Sequence, residues 1–194
     1  MISSHAVVWP VVLPLLAGCV LLLLEQRQSR WAPVVSVTSM LCLLLIAVHL
    51  LRHADSGVVE VYLSSNWQAP FGIALALDRL SALMLVLAAL VGLAALLYAL
   101  GGDARRSPHF GALLQFQLMG VNGAFLTADL FNLFVFFEVL LIASYGLLLH
   151  GAGSARLRAA VHVVAFNLTA SALFLIAVAT LYGVSGTLNM ADLA

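Results

Sequence analysis

The sequence predicts an all-α polytopic membrane protein with six transmembrane helices and a short external β-hairpin between the second and third helices. Of its 194 residues, 64% are hydrophobic and only 8% are charged, whereas about a quarter of the residues in a soluble domain are charged. The apolar residues fall in blocks of about 20, the number that a helix needs to cross a hydrocarbon layer of ~30 Å. In the loop after the second block, apolar and other residues alternate with a period of two. The low content of charged residues and the apolar blocks together exclude an ordinary soluble domain.

Charge and motifs exclude several function classes. The chain has 8 arginines, no lysine, 8 acidic residues and no net charge, so it offers no basic surface for nucleic acid. Cys19 and Cys42 lie inside apolar blocks, where neither a disulfide framework nor a metal-ligand spacing can be recognised. No Gly-rich phosphate loop, His-Glu-x-x-His, Cys-x-x-Cys or Gly-x-Ser-x-Gly motif occurs. We expect no cofactor, no metal and no enzymatic activity of the chain alone.

Six apolar blocks bounded by charge, Gly and Pro define the predicted spans. They cover residues 6–24, 31–51, 79–100, 110–128, 130–149 and 157–182. The first block resembles a signal peptide in position only, since no basic residue precedes it and Glu25, Gln26 and Arg27 follow it. We interpret it as a helix that Pro10 and Pro14 bend.

The arginines predict the orientation in the membrane. The loops after the first, third and fifth spans carry Arg27, Arg30, Arg105, Arg106, Arg156 and Arg158. Short loops rich in arginine stay in the cytoplasm, so the N-terminus, the 52–78 loop and the 127–130 turn are expected outside. His109 and His150 border the arginine-rich side and are most simply solvated.

The external loop carries the hairpin pattern. Apolar and other residues alternate from Val59 to Ser64 and again from Phe71 to Asp78, which is the period of a strand. We predict a β-hairpin over 58–77, with a turn at 64–70 in which Trp67 is placed as an interfacial anchor. An irregular amphipathic loop is the alternative.

Glu138 is the residue that an apolar span does not explain. It lies near the middle of the fifth span, where a carboxylate costs about 3 kcal/mol even on a mild insertion scale. It should therefore face the bundle interior, on the helix face that carries Phe134, Leu141, Ile142 and Tyr145. A carboxyl group whose pKa responds to burial and to a nearby cation can load and release protons. The alternative is a neutral or ion-paired glutamate that only holds helices together.

Asp129 and His162 are weaker candidates for a proton pathway. Asp129 begins the fifth helix, where a carboxylate is favoured as a cap; an external proton entrance is the second interpretation. His162, in the sixth span, could pass protons or could be a hydrogen-bonded structural residue. Asp78 beside Arg79 is interpreted as a cap or an interfacial ion pair.

Other polar and small residues in the spans favour packing. Gly120, Ala124 and Ala128 form a ridge of small residues in the fourth span, which also holds the polar residues Gln115, Gln117 and Asn122. In the sixth span Asn167 and Ser171 share one face.

The run from Phe116 to Tyr145, together with Pro70–Met84 and Asn167–Leu193, closely resembles the D subunit of the multisubunit Mrp-type monovalent cation/proton antiporters. Those subunits belong to the antiporter-like family shared with respiratory complex I. The resemblance implies that Glu138 handles protons opposite a lysine of a discontinuous seventh helix, which would lie beyond residue 194. It also implies that residues 1–109 form a peripheral three-helix segment and that 110–194 form the first three helices of a five-helix repeat.

On this resemblance the chain is expected to be an N-terminal fragment of a multi-pass protein of the bacterial cell (inner) membrane. Its partners would be other hydrophobic subunits, the lipid bilayer, H⁺, and Na⁺ or another monovalent cation, and the fragment alone should not transport. The alternative function is that of a proton-pumping subunit of an NADH:quinone oxidoreductase or a membrane-bound hydrogenase. A purely structural subunit is a third possibility.

Overall fold

The computed structural model describes residues 5–27, 29–57, 59–63, 67, 72–102, 109–149 and 153–194, without the side chains of residues 154 and 155. The described helices are α1 (Trp9–Gln26), α2 (Ala32–Ala54), α3 (Arg79–Gly101), α4 (Phe110–Leu126), α5 (Leu130–Leu148) and α6 (Ser154–Ser185). Two strands, β1 (Glu60–Leu63) and β2 (Ala74–Leu77), lie between α2 and α3. The predicted fold class is confirmed. Five of these helices are long and apolar enough to cross a membrane, and α4, with 17 residues, is a shorter apolar helix.

The two strands form the predicted hairpin. They pair antiparallel, with Glu60 opposite Leu77 and Leu63 opposite Ala74. Leu75 and Leu77 are buried against the helices. The apolar residues of the hairpin therefore form the face that packs on the helical bundle. The strands are shorter than the predicted 58–77 range, and within the predicted turn only residue 67 is described, with the Trp67 side chain exposed.

α3 begins with a capping box at the end of the hairpin. The backbone N–H of Ser81 donates to the Asp78 carboxylate at 2.7 Å, and the backbone N–H of Asp78 donates to the Ser81 hydroxyl at 3.0 Å. Hydrogen bonds from the Ser81 side chain and backbone lower the pKa of Asp78. Asp78 is therefore a cap, while Arg79 pairs with Asp55 at 3.1 Å in an exposed ion pair.

α1 contains a proline whose lost hydrogen bond is replaced from another helix. Pro14 lies inside α1 and has no N–H to donate to the carbonyl of Pro10, one turn earlier. The Asn122 side chain of α4 donates to that carbonyl at 2.9 Å. A carbonyl that would otherwise be unpaired inside the bundle thus joins α1 to α4.

α4 is the helix on which the bundle is organised. It packs against α1, α3 and α5; α2 packs against α1 and α3; and α6 packs against α5. Near the hairpin, the core between these helices includes Leu50, Leu77 and Leu126. Farther along the helices, the core includes Met40, Leu43 and Leu118.

Glycines bring α5 close to α4. A Cβ on Gly120 would lie 2.7 Å from the Leu140 Cβ, and a Cβ on Gly123 would overlap the Phe136 ring. Of the predicted ridge, Gly120 therefore packs against a neighbouring helix as expected, and Gly123 joins it; Ala128 lies in the turn beyond the end of α4. Close approach of this kind replaces the hydrophobic driving force that is missing between helices in lipid.

At the hairpin end of the bundle, extended backbone joins three parts of the chain. The N–H of Ala128, in the α4–α5 turn, donates to the carbonyl of Ala74 in β2 at 3.0 Å. On the other side of the turn, the N–H of Met190 donates to the carbonyl of Ala128 at 2.9 Å and the N–H of Leu130 donates to the carbonyl of Leu188 at 3.0 Å. We call this set of backbone hydrogen bonds the outer seam. It fixes the start of α5.

Candidate functional site

The start of α5 is held by a side-chain cap. The Asp129 carboxylate accepts from the backbone N–H of Asn132 at 2.8 Å, and the Asn132 amide donates to the Thr127 hydroxyl at 3.0 Å. Asp129 and Asn132 are both buried. The structure therefore places Asp129 as the N-cap that the sequence favoured, where a carboxylate also meets the positive end of the helix dipole.

Two faces of α5 contact neighbouring helices. Phe136 and Leu140 face α4, where they meet the glycines. Phe134 stacks on Phe174 of α6, with centroids 6.2 Å apart, and Phe137 meets the same ring edge-on at 6.5 Å.

Glu138 lies on the flank of α5 that faces away from α4. At 3.6 residues per turn it is about 200° around the helix from both Phe136 and Leu140. This flank borders the face that carries Phe134 and its contact with α6.

The Glu138 carboxylate is half-buried. Its Oε1 atom is buried and has no hydrogen-bond partner among the described residues. Beside it, Phe131, Val135 and Ile142 on the same flank are exposed. The expected position inside the bundle is therefore met in part, since one carboxylate oxygen is enclosed while the adjoining flank is open within the described chain.

Ser171 of α6 lies at about the depth of Glu138. α6 runs back beside α5, and the Phe134–Phe174 contact gives the register. Glu138 is four residues after Phe134, about 6 Å along α5, and Ser171 is three residues before Phe174, about 4.5 Å along α6. Because the two helices run in opposite directions, both displacements point the same way. Ser171 and Asn167 are less exposed than most of α6. The sequence showed that these two polar residues share a face but not that the face turns toward α5.

The two weaker proton-pathway candidates lie apart from Glu138. His162 is exposed on α6, and its Nδ1–H donates to the carbonyl of Arg158 in the preceding turn at 2.8 Å. Asp129 is nine residues from Glu138, about 13 Å along α5. The described structure therefore does not bring the three candidates into one cluster.

Sequence analysis missed a polar cluster between α1, α2 and α4. Glu25 at the end of α1 has a side chain only 16% exposed, with its Oε2 atom 3.6 Å from Nδ1 of His109. The His109 side chain is 39% exposed, so the expectation that it is solvated is met in part; its Nδ1 atom is buried because α1 ends against the start of α4. His150, the other histidine expected to be solvated, lies outside the described residues. Ser39 and Gln115, deeper in the cluster, are buried and hydrogen-bonded to each other. The available signal was that Gln115 lies in an apolar span.

The fold and this site define the class of protein: a helical membrane protein with an enclosed carboxylate oxygen in a span, unpartnered within the described chain. Such a group can hold a proton, accept a hydrogen bond or bind a cation. In the part of the chain that the structure describes, no group of three or more His, Cys, Asp or Glu residues could hold a metal ion.

Comparison with known proteins narrows the class. Residues 127–194 match the family described as NADH:quinone oxidoreductase/Mrp antiporter, transmembrane. The D subunit of a "Probable K(+)/H(+) antiporter" from Rhizobium meliloti is 49% identical over 196 residues, covering 98% of this chain and 36% of the relative. The D subunit of the Na(+)/H(+) antiporter from Alkalihalophilus pseudofirmus is 42% identical over 193 residues, covering 98% and 39% respectively.

A solved structure gives the same result. A chain of the Mrp complex from Dietzia sp. DQ12-45-1b superposes with a TM-score of 0.94 and 34% identity, over 100% of this chain and 36% of that chain. The chain is therefore similar over nearly its whole length to the D subunits of Mrp-type antiporters, and its residues 127–194 match the antiporter-like family. It spans 36% to 39% of the length of these relatives.

Proposed function

We propose that the chain is part of a membrane subunit of a multisubunit monovalent cation/proton antiporter, in which Glu138 carries the proton. The single observation that supports this role is the enclosed Glu138 Oε1, which has no partner among the described residues. Charged groups at this depth are costly and are found where ions pass. The named relatives are K(+)/H(+) and Na(+)/H(+) antiporter subunits, so the exchanged ion is Na⁺ or another monovalent cation.

The proposed mechanism is a change of proton affinity at Glu138. A cationic group that approaches the carboxylate lowers its affinity for the proton, and withdrawal of that group raises it. One pKa unit corresponds to about 1.4 kcal/mol, so small movements of a partner group suffice. The open flank of α5 beside Glu138, lined by Val135 and Ile142, leaves room for such a partner. A lysine beyond residue 194 is our candidate for it.

We further propose the orientation and organisation that the sequence predicted. The outer seam, the hairpin and the Asp129 cap would lie outside the cell, and the arginine-rich loops in the cytoplasm of a bacterial cell. Residues 1–109 would be a peripheral segment, and 110–194 would begin a five-helix repeat. Other hydrophobic subunits would be the partners. Asp129 and His162 remain proposed members of the proton path, Asp129 as an entrance.

A proton-pumping subunit of an NADH:quinone oxidoreductase is the second candidate, because the matched family includes both kinds of complex by its description. Both would use the same carboxylate. The subunits that copurify with the complete protein distinguish them: flavin and iron-sulfur proteins indicate the oxidoreductase, and small hydrophobic subunits alone indicate the antiporter.

The test is Na⁺- and K⁺-dependent proton exchange in everted vesicles that carry the complete protein in its complex. Glu138→Gln keeps the size and hydrogen bonding of the side chain but cannot ionise, so we expect exchange to be abolished while the protein still inserts. Glu60→Gln, on the hairpin, is the matched control and should exchange normally. Full activity of Glu138→Gln would refute the proton-carrying role.

A further inference from the structure

Oxygen atoms converge over Gly111 at the arginine-bearing end of the bundle. A Cβ on Gly111 would lie 3.0 Å from Glu25 Oε1 and 3.3 Å from Ser36 Oγ. Gln115 is one turn farther along α4, on the same face as Gly111. We call the space between Glu25, Ser36, Gly111 and Gln115 the Gly111 cradle. It exists because residue 111 has no side chain.

Two of these residues present oxygen atoms that nothing in the described chain satisfies. Ser36 Oγ and Gln115 Oε1 are buried and have no hydrogen-bond partner among the described residues. Glu25 turns its Oε1 toward the cradle, while its Oε2 lies 3.6 Å from Nδ1 of His109. Ser36 is 3% exposed and Gln115 is 0% exposed. Leaving a buried polar group unpaired costs about 1–3 kcal/mol. Two such atoms in the helix interface that also holds the Glu25 carboxylate therefore indicate a ligand.

A chain of hydrogen bonds determines which atom of the Gln115 side-chain amide has no hydrogen-bond partner. The Ser39 hydroxyl donates to the Ser36 carbonyl at 2.8 Å, so its oxygen can only accept from Gln115. The Gln115 Nε2 donates to it at 2.5 Å. This network distinguishes the nitrogen of the amide from the oxygen and leaves Gln115 Oε1 as an acceptor.

The set of donors determines the chemical class of the ligand. A carboxylate, a hydroxyl and an amide carbonyl are the hard oxygen ligands that alkali and alkaline-earth ions prefer, whereas thiolates and imidazoles suit transition metals. The cradle contributes one carboxylate, which matches a single positive charge. The same carboxylate lies against the start of α4, with Oε1 over Gly111 and Oε2 3.6 Å from Nδ1 of His109.

We propose that the Gly111 cradle binds a monovalent cation of the size of Na⁺, with Glu25, Ser36 and Gln115 as its oxygen ligands. The site lies between α1, α2 and α4 and does not include Glu138. The inference does not rest on the role proposed for Glu138. It assigns a function to Glu25, a half-buried carboxylate that the proposed proton relay does not use.

The test measures Na⁺ binding apart from transport, on the complete protein purified in its complex. A ligand that binds the folded state raises the thermal unfolding midpoint in proportion to the logarithm of its concentration above the Kd. NaCl replaces choline chloride at constant ionic strength. We expect Na⁺ to raise the midpoint of the wild type.

Two small substitutions should weaken this response by about tenfold in apparent Na⁺ affinity, through the loss of one ligand or of space. Ser36→Ala removes a ligand, and Gly111→Ala places a methyl group in the cradle. The matched controls are Ser144→Ala, whose hydroxyl bonds within its own helix, and Gly101→Ala, where a Cβ meets nothing within 4 Å. Both controls should respond like the wild type. Glu25→Gln should abolish the response, and the alanine variants test the site even if that variant does not fold.

Three outcomes would overturn the site. In the first, the wild type does not respond to Na⁺. In the second, the Ser36→Ala variant and the Gly111→Ala variant both respond like the wild type. In the third, the Ser144→Ala control loses the response as much as these variants do. Glu138→Gln separates this inference from the proposed proton relay. The variant should lose exchange and keep its Na⁺ response, and loss of that response would assign the cation to Glu138 instead.

Discussion

Asn122 shows how one polar side chain stabilises a helix that contains a proline. Its amide donates to the carbonyl of Pro10, separated from it by 112 residues. Pro14 cannot make this bond from within α1. The contact therefore belongs to the pair α1 and α4 and fixes their relative height.

The Asn122 bond predicts a coupled pair of substitutions. Asn122→Leu should destabilise the complete protein by about 1–3 kcal/mol, because the buried Pro10 carbonyl loses its donor. In a Pro14→Ala background the backbone N–H of residue 14 becomes the donor, and the cost of Asn122→Leu should shrink. Thermal unfolding of the four proteins of this cycle measures the coupling. Equal costs in both backgrounds would show that Asn122 does not replace the missing helical bond.

Asp78 gives a pH-dependent prediction. The Ser81 hydroxyl and backbone N–H lower the pKa of Asp78 below its ordinary value. A lowered pKa in the folded state means that the cap stabilises the protein above the ordinary aspartate pKa of about 4 and that this contribution is lost as the pH falls through the folded value.

Asp78→Ala should accordingly cost about 1 kcal/mol at neutral pH and progressively less below about pH 4. The measurement is the difference in unfolding midpoint between variant and wild type across pH. A difference that stays constant down to about pH 3 would contradict an ionised cap. Asp55→Ala, in an exposed ion pair, is the control and should have little effect at any pH.

At the scale of the element, α5 is positioned by glycines of α4 rather than by complementary polar groups. Gly120 meets the Leu140 Cβ and backbone N, together with the Phe136 carbonyl, whereas Gly123 meets the Phe136 ring. These contacts set the rotation of α5, and the rotation directs Glu138 to the opposite flank. Packing between two helices thus decides where the carboxylate lies.

Alanine variants of the two glycines should differ in whether a second substitution restores the stability of the protein. Gly123→Ala and Gly120→Ala should each destabilise the protein by about 1–3 kcal/mol through overpacking. Phe136→Leu should restore stability in the Gly123→Ala background, because the clash there is with a side chain. It should not rescue Gly120→Ala, where the clash includes backbone. Thermal unfolding of the double variants decides this, with Gly101→Ala as the unperturbed glycine control.

At the scale of the whole molecule, the outer seam joins the hairpin, the α4–α5 turn and the segment after α6. The Ala128 N–H and carbonyl bond to Ala74 and Met190 on opposite sides of the turn. Parts of the chain that lie far apart in sequence therefore restrain the start of α5 together.

Hydrogen exchange of the complete protein in its complex tests the seam. The amides of Ala128, Leu130 and Met190 should exchange slowly, because each is bonded across the seam. Ala128→Pro removes the bond to Ala74 and should speed exchange at Leu130 and in β2. Ile73→Pro, just outside β2, is the control. If Ala128→Pro leaves these amides protected, the seam does not restrain α5.

How much of this could be predicted from the sequence differs by feature. The spans, the hairpin and the Asp78 and Asp129 caps depend on hydrophobic content, on periodicity and on residues three positions apart, and each of these is readable from the chain itself. The expectation that His109 is solvated was met only in part, and the buried position of Glu25 was missed, for a different reason. Both lie near a predicted loop, and only the packing of the end of α1 against the start of α4 buries them.

The sequence by itself determined that the chain crosses a membrane as helices and that one span carries an acid, because about twenty apolar residues and a carboxylate among them have no other stable solution in lipid. The tertiary structure alone decided which flank of α5 presents that acid, which glycines admit α5, and that Glu25 and Ser36 meet over Gly111. These depend on the rotation and pairing of helices. The apolar surfaces of membrane helices are chemically alike, so the hydrophobic pattern does not specify which two of them come into contact.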